Sequence, residues 1–115
     1  MPSIKITPKN ANNFCKIVKK GVFICLYHWK DCGHCITLLP IWEEAVKNSG
    51  KNSYIVEIEM DNLKYLDEKY RTVQGFPTII VYKNGKKIKE FSEQRTRENL
   101  EKFIKDNKDP RLHNI

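Results

Sequence analysis

Cys32 and Cys35, in the run Cys32-Gly33-His34-Cys35, are the residues best suited to chemistry in this 115-residue chain. Cys32 lies where a continuous apolar run ends and a helical pattern begins. Unpaired N–H groups and partial positive charge at a helix start favour thiolate over thiol there. Cys35, one turn further in, can close a disulfide with Cys32. Cys32 would attack a substrate disulfide, and Cys35 would resolve the mixed disulfide. Two other readings compete. A zinc site would need two more ligands; His28 and His34 are nearby, but no second CxxC or paired His has suitable spacing. An inert structural pair is the other. Cys15 and Cys25 sit in apolar surroundings and read as small buried hydrophobes.

The elements that would position these cysteines follow from periodicity. Ser3 to Ile6 alternates weakly, as a short strand. Asn10 to Lys20 places Phe14, Ile17 and Val18 on one helical face, and Gly21 ends it. Val22 to Tyr27 is apolar throughout, as expected of a strand covered on both faces. Gly33 to Asn48 reads as a helix with Ile36, Leu39, Trp42 and Val46 inward and a kink at Pro40. Tyr54 to Met60 alternates as a strand, and Leu63 to Tyr70 reads as a short helix. Thr78 to Tyr82 is a second buried strand, joined through Asn84-Gly85 to a partner at Lys87 to Phe91. Thr96 can cap a final helix carrying Leu100, Phe103 and Ile104. The chain is expected to fray from about residue 108. The order implies a single α/β domain over 1–115, a central mixed sheet with helices on both faces.

Composition narrows the function. Hydrophobic residues make up 40% and charged residues 30%, enough for a packed core. Net charge is +7, from 21 basic and 14 acidic residues. No basic–aromatic signature accompanies that charge, so it reads as a solvated lysine-rich surface, with no nucleic-acid partner. No apolar run approaches the ~20 residues that span a bilayer, so no membrane partner is expected. The start, Met1-Pro2-Ser3-Ile4-Lys5, lacks a secretory pattern and the end lacks an ER-retention tail. A cytoplasmic location is expected, with a virus-associated protein or a mature lumenal domain as alternatives.

Cys32-Gly33-His34-Cys35, the segment Val73-Gln74-Gly75-Phe76-Pro77-Thr78 and the Asn84-Gly85 hairpin together resemble the thioredoxin family. The Gly33-His34 pair and the run Arg95-Thr96 are more similar to protein disulfide isomerase domains. The resemblance spans about residues 3 to 107. It implies a thioredoxin fold, with Pro77 in cis facing the cysteines. The backbone of Phe76, between Gly75 and Pro77, would then pair with a bound polypeptide; Trp29 can cover the site, though it stands two places before the family's usual tryptophan. It also implies that Arg95 helps ionise Cys35. His34 can stabilise the Cys32 thiolate and raise the reduction potential. Those implications make the chain a thiol–disulfide oxidoreductase without metal or cofactor. Its partners would be protein substrates and a recycling reductase, oxidase or glutathione, and it would act as a monomer.

The sequence departs from the family twice. Asp31 stands directly before Cys32 where Trp is usual, and a carboxylate there opposes thiolate formation. Leu26 stands where the family places a buried acid, and Glu57 where it places the neighbouring lysine. Glu57 is therefore expected to replace that acid as proton acceptor for Cys35. The Gly33-His34 pair favours oxidase or isomerase character over general reduction, with a redox-inert binding module of the same fold as the remaining alternative.

Overall fold

The computed structural model describes residues 3–112. Its sheet has five strands: β1 (Ser3–Lys5), β2 (Val22–His28), β3 (Tyr54–Glu59), β4 (Thr78–Lys83) and β5 (Lys86–Glu90). Their spatial order is β1-β3-β2-β4-β5, parallel between β1, β3 and β2 and antiparallel from β2 to β4 to β5. The central strand β2 is buried along almost its whole length, which is why its sequence is apolar on both faces. Phe23, Cys25 and Tyr27 point into one cluster with Phe14 and Cys15 of α1 (Ala11–Ile17) and Tyr70 of α3 (Glu68–Arg71). Ile24 and Leu26 point into the other, with Leu38, Trp42 and Ala45 of α2 (Gly33–Ser49) and Leu100 and Ile104 of α4 (Arg97–Asp106). This is the mixed sheet with helices on both faces that the resemblance implies.

Local chemistry fixes the turns. Asn84 and Gly85 both take positive φ, 53° and 83°, as a two-residue hairpin of this twist requires. Asn84 also exchanges hydrogen bonds with Gly21, accepting from its N–H at 2.9 Å and donating to its carbonyl at 2.8 Å. Thr96 caps α4 by accepting the Asn99 N–H at 3.1 Å.

Three sequence expectations change. The helix expected over Leu63 to Tyr70 is split into a 3-10 turn (Met60–Tyr65) and α3, with Leu66 and Asp67 extended between them. The break lets Leu66 drop into the core on the α1 side. In α2 the buried face runs through Cys35, Leu38, Trp42 and Ala45, whereas Ile36 is 60% exposed. The helix is rotated because Cys35, behind Cys32, takes the inward position. Pro40 sits within α2 without ending it.

The third change is the tail. The described residues from 108 to 112 are fastened, because Asp109 is fully buried and accepts the Val22 N–H at 2.8 Å. It also accepts from the Arg111 side chain at 3.0 Å, and Arg111 lies over the Tyr54 ring. Gly21, at φ +99°, leaves the room for this pair; a Cβ there would collide with both side chains.

Burial opposes the charge on Asp109, but hydrogen bonds from Arg111 and Val22 outweigh it and hold the carboxyl below its usual range. A depressed carboxyl contributes stability above the unfolded value, about 3.9, and loses it as pH falls through the folded value. Asp109→Asn should therefore lower stability by about 2 kcal/mol at pH 7, the scale of hydrogen bonds to a charged group. Thermal melts should show the gap between variant and wild type closing as pH drops below about 4.

Candidate active site

The strand β2 delivers the chain to the redox pair. His28 ends it, and the Cys32 N–H donates to the Trp29 carbonyl at 3.1 Å, folding residues 29–32 into a turn. Cys32 is then the N-cap of α2, and its Sγ accepts the Cys35 N–H at 3.3 Å. A sulfur thus occupies the place that Ser, Thr or Asp fills in ordinary caps.

The two thiols differ as the chemistry requires. Cys32 is partly exposed and held below the ordinary thiol range. The largest cause is the side-chain hydrogen bond from Cys35; N–H groups of Cys35 and His34 and the charge of Arg95 add to it, while burial works against it. Cys35 is 1% exposed and pushed up to about 11, first by burial and next by its bond to Cys32. The Trp29 backbone N–H and Arg95 act in the opposite direction on Cys35.

The surface around Cys32 is built from the predicted loop. The Phe76–Pro77 peptide is cis, and the Cys32 thiol donates to the Phe76 carbonyl at 3.4 Å. The Trp29 and Phe76 rings stand 6.4 Å apart, tilted by 51°. Ile36, next to Cys35 in the first turn of α2, adds an exposed apolar side chain. Sequence reasoning placed Ile36 in the core and so missed it. Gly33 and Gly75 are both exposed, and a Cβ on either would meet open space. On the other side Pro77, Phe91, Glu93, Gln94 and Arg95 line a groove of about 310 Å3.

The remaining candidates fall as follows. The His34 side chain is exposed, and its backbone N–H is the part that acts on Cys32. Asp31 is exposed and is not among the leading influences on Cys32. Glu57 pairs in register with Leu26 and shares its α2-facing side of the sheet. Its carboxylate accepts the Trp42 indole N–H at 3.3 Å, and it is not among the leading influences on Cys35. A cleft of about 220 Å3, lined also by His28, Leu39, Glu43 and Glu59, opens beside it. Among the described residues, no group of three or more His, Cys, Asp or Glu side chains is placed to hold a metal ion.

Known proteins match this arrangement. The sequence model of the thioredoxin family matches residues 5–106. Bloodstream-specific protein 2 of Trypanosoma brucei brucei is 32% identical over 94% of this chain and 21% of its own length. Protein disulfide-isomerase of Saccharomyces cerevisiae is 29% identical over 90% of this chain and 20% of its own. The chain therefore spans about a fifth of these relatives. In three dimensions the reduced thioredoxin pre-protein of Schistosoma mansoni superposes with a TM-score of 0.69 at 21% identity, covering 93% of this chain and 99% of that one. The J-Trx1 fragment of ERdj5 superposes at 0.73 and 20% identity, covering 88% and 49%. With the capped Cys32, the buried Cys35 and the Gly-His pair between them, the chain belongs to the thioredoxin family and carries the protein disulfide isomerase type of active site.

Proposed function

We propose that the domain exchanges disulfides with polypeptide substrates and has oxidase or isomerase character. The observation that carries this reading is the asymmetry of the pair: a partly exposed, hydrogen-bonded Cys32 sulfur against the Phe76 carbonyl, backed by a buried Cys35 thiol raised to about 11. Stabilising one thiolate of the reduced form makes the disulfide easier to reduce and the protein more oxidising.

In the oxidising direction a substrate thiolate attacks the Cys32–Cys35 disulfide, joining its sulfur to Cys32 and releasing Cys35, which takes a proton. A second substrate thiolate then attacks the substrate sulfur of the mixed disulfide and releases Cys32 as the stabilised thiolate. The substrate is oxidised and the domain reduced; an oxidase or oxidised glutathione would restore it. Reduction of a substrate runs the same steps backwards, and Cys35 must then lose its proton. Glu57 is proposed as the acceptor, because it shares the α2-facing side of the sheet with Leu26 and borders a cleft.

The two thiols should alkylate in two steps, Cys32 with a midpoint below the ordinary thiol value and Cys35 near pH 11. Cys35→Ser should trap mixed disulfides with substrate proteins and Cys32→Ser should not; the reverse pattern overturns the assignment.

The reduction potential should be clearly less negative than the roughly −270 mV of thioredoxin. His34→Pro deletes the backbone N–H as well as the imidazole, and should shift the glutathione equilibrium about tenfold toward the disulfide, roughly 30 mV. His34→Ala keeps the N–H and should shift it less. An unchanged constant in both variants would remove His34 from control of the potential.

Glu57→Gln should slow resolution of the mixed disulfide about a hundredfold near neutral pH, the lower end of the usual contribution of a general base, and flatten its pH dependence. Rates equal to wild type from acidic to alkaline pH would exclude Glu57 as the acceptor.

A further inference from the structure

Glu59 ends β3, directly opposite His28 at the end of β2. Nothing in its sequence context marks it as functional. Its carboxylate joins two backbone segments: one oxygen accepts the Lys30 N–H at 2.9 Å and the other accepts the Asp61 N–H at 2.7 Å. The Lys30 ammonium stands 3.3 Å from the Asp61 carboxylate, closing a second link between the same two segments.

The Lys30 N–H belongs to the same planar peptide unit as the Trp29 carbonyl. That carbonyl accepts the Cys32 N–H at 3.1 Å. In a trans peptide the N–H and C=O point in opposite directions, so holding one aims the other. A carboxylate is the strongest hydrogen-bond acceptor a side chain offers to a backbone N–H. The same turn also carries the Trp29 N–H that acts on Cys35 and the Trp29 ring that faces Phe76.

We infer that Glu59 is the positioning residue of the redox site: by gripping the Lys30 N–H it orients the Trp29–Lys30 peptide, whose carbonyl receives the Cys32 N–H and so sets Cys32 at the cap of α2. The contact reaches the reacting sulfurs only through backbone, so Glu59 is not a catalytic residue. Its part in exchange rests on the reading of Cys32 as nucleophile. Its effect on the thiol can be read without any substrate.

Cys32 ionises against Cys35, Arg95 and the N–H groups of Cys35 and His34, with Asp31 adjacent in the chain and Lys30 beyond it. A change at Glu59 replaces none of these residues and can reach Cys32 through the placement of the turn. Three variants of the whole chain, Glu59→Ala, Glu59→Gln and Lys30→Ala, separate the possible roles. The measurements are the pH midpoint of Cys32 alkylation by iodoacetamide, the glutathione equilibrium constant and the thermal melt. Glu59→Ala should raise the Cys32 midpoint and move the glutathione equilibrium about fivefold toward the disulfide, the worth of one hydrogen bond of ordinary net strength. Glu59→Gln keeps one carbonyl acceptor and should recover part of both shifts. Lys30→Ala removes only the exposed ion pair and should leave both at wild-type values. A Glu59→Ala protein that melts earlier but keeps the wild-type midpoint and constant would reduce Glu59 to a structural link and overturn the inference. An equal shift in Lys30→Ala would overturn it too, by assigning the effect to the ion pair. If wild type fails to exchange disulfides at all, the functional reading falls, while the alkylation midpoints still decide the role of Glu59.

Discussion

A sulfur caps a helix in this protein, and most of the site follows from that contact. The Cys35 N–H donates to Cys32 Sγ at 3.3 Å, in the position where an oxygen normally satisfies an orphan amide. A thiol accepts such a bond weakly and a thiolate strongly, so the cap itself favours the reactive form. The cap requires Cys32 to leave β2 in an extended conformation and α2 to begin at once. Its φ and ψ of −105° and 115° meet that requirement. The turn from Trp29 to Cys32, held from β3 by Glu59, supplies the exit geometry.

The same contact divides labour between the cysteines. With Cys32 at the helix end, Cys35 must lie one turn inward and face the sheet. Burial then raises its thiol, and its hydrogen bond to Cys32 raises it further while lowering Cys32. The orientation of α2 is a consequence too. Putting Cys35 inward puts Ile36 outward, exposed in the first turn of α2.

Charge around the pair is arranged differently from the pattern the family resemblance implies. Leu26 removes the buried carboxylate from under α2, so Cys35 is not burdened by a second negative charge when it ionises. Glu57, one strand over, is tied to Trp42. The groups that favour a Cys35 thiolate are an amide of the chain, Trp29 N–H, and the guanidinium of Arg95. Arg95 is itself exposed and sits on the loop leading to the Thr96 cap, so α4 sets where this charge stands.

The sequence by itself determined what short-range physics controls. The apolar run of β2, the Asn84-Gly85 turn and the Thr96 cap each carry their own local cause, and the structure has all three. The strand–CxxC–helix succession likewise identified the reactive pair. Tertiary structure decided whatever depends on residues distant in the chain. Leu63 to Tyr70 has helical spacing, yet burial of Leu66 against α1 breaks it. The tail after Lys108 looks free in sequence, yet Val22, 87 residues away from Asp109, fastens it. Ile36 and Leu38 are equally apolar, and only the packing of Cys35 decides which faces solvent. Glu59 shows the limit most clearly: a charged residue at a strand end carries no periodic signal, and its role exists only because β3 runs beside β2 and brings its carboxylate to the amide of Lys30.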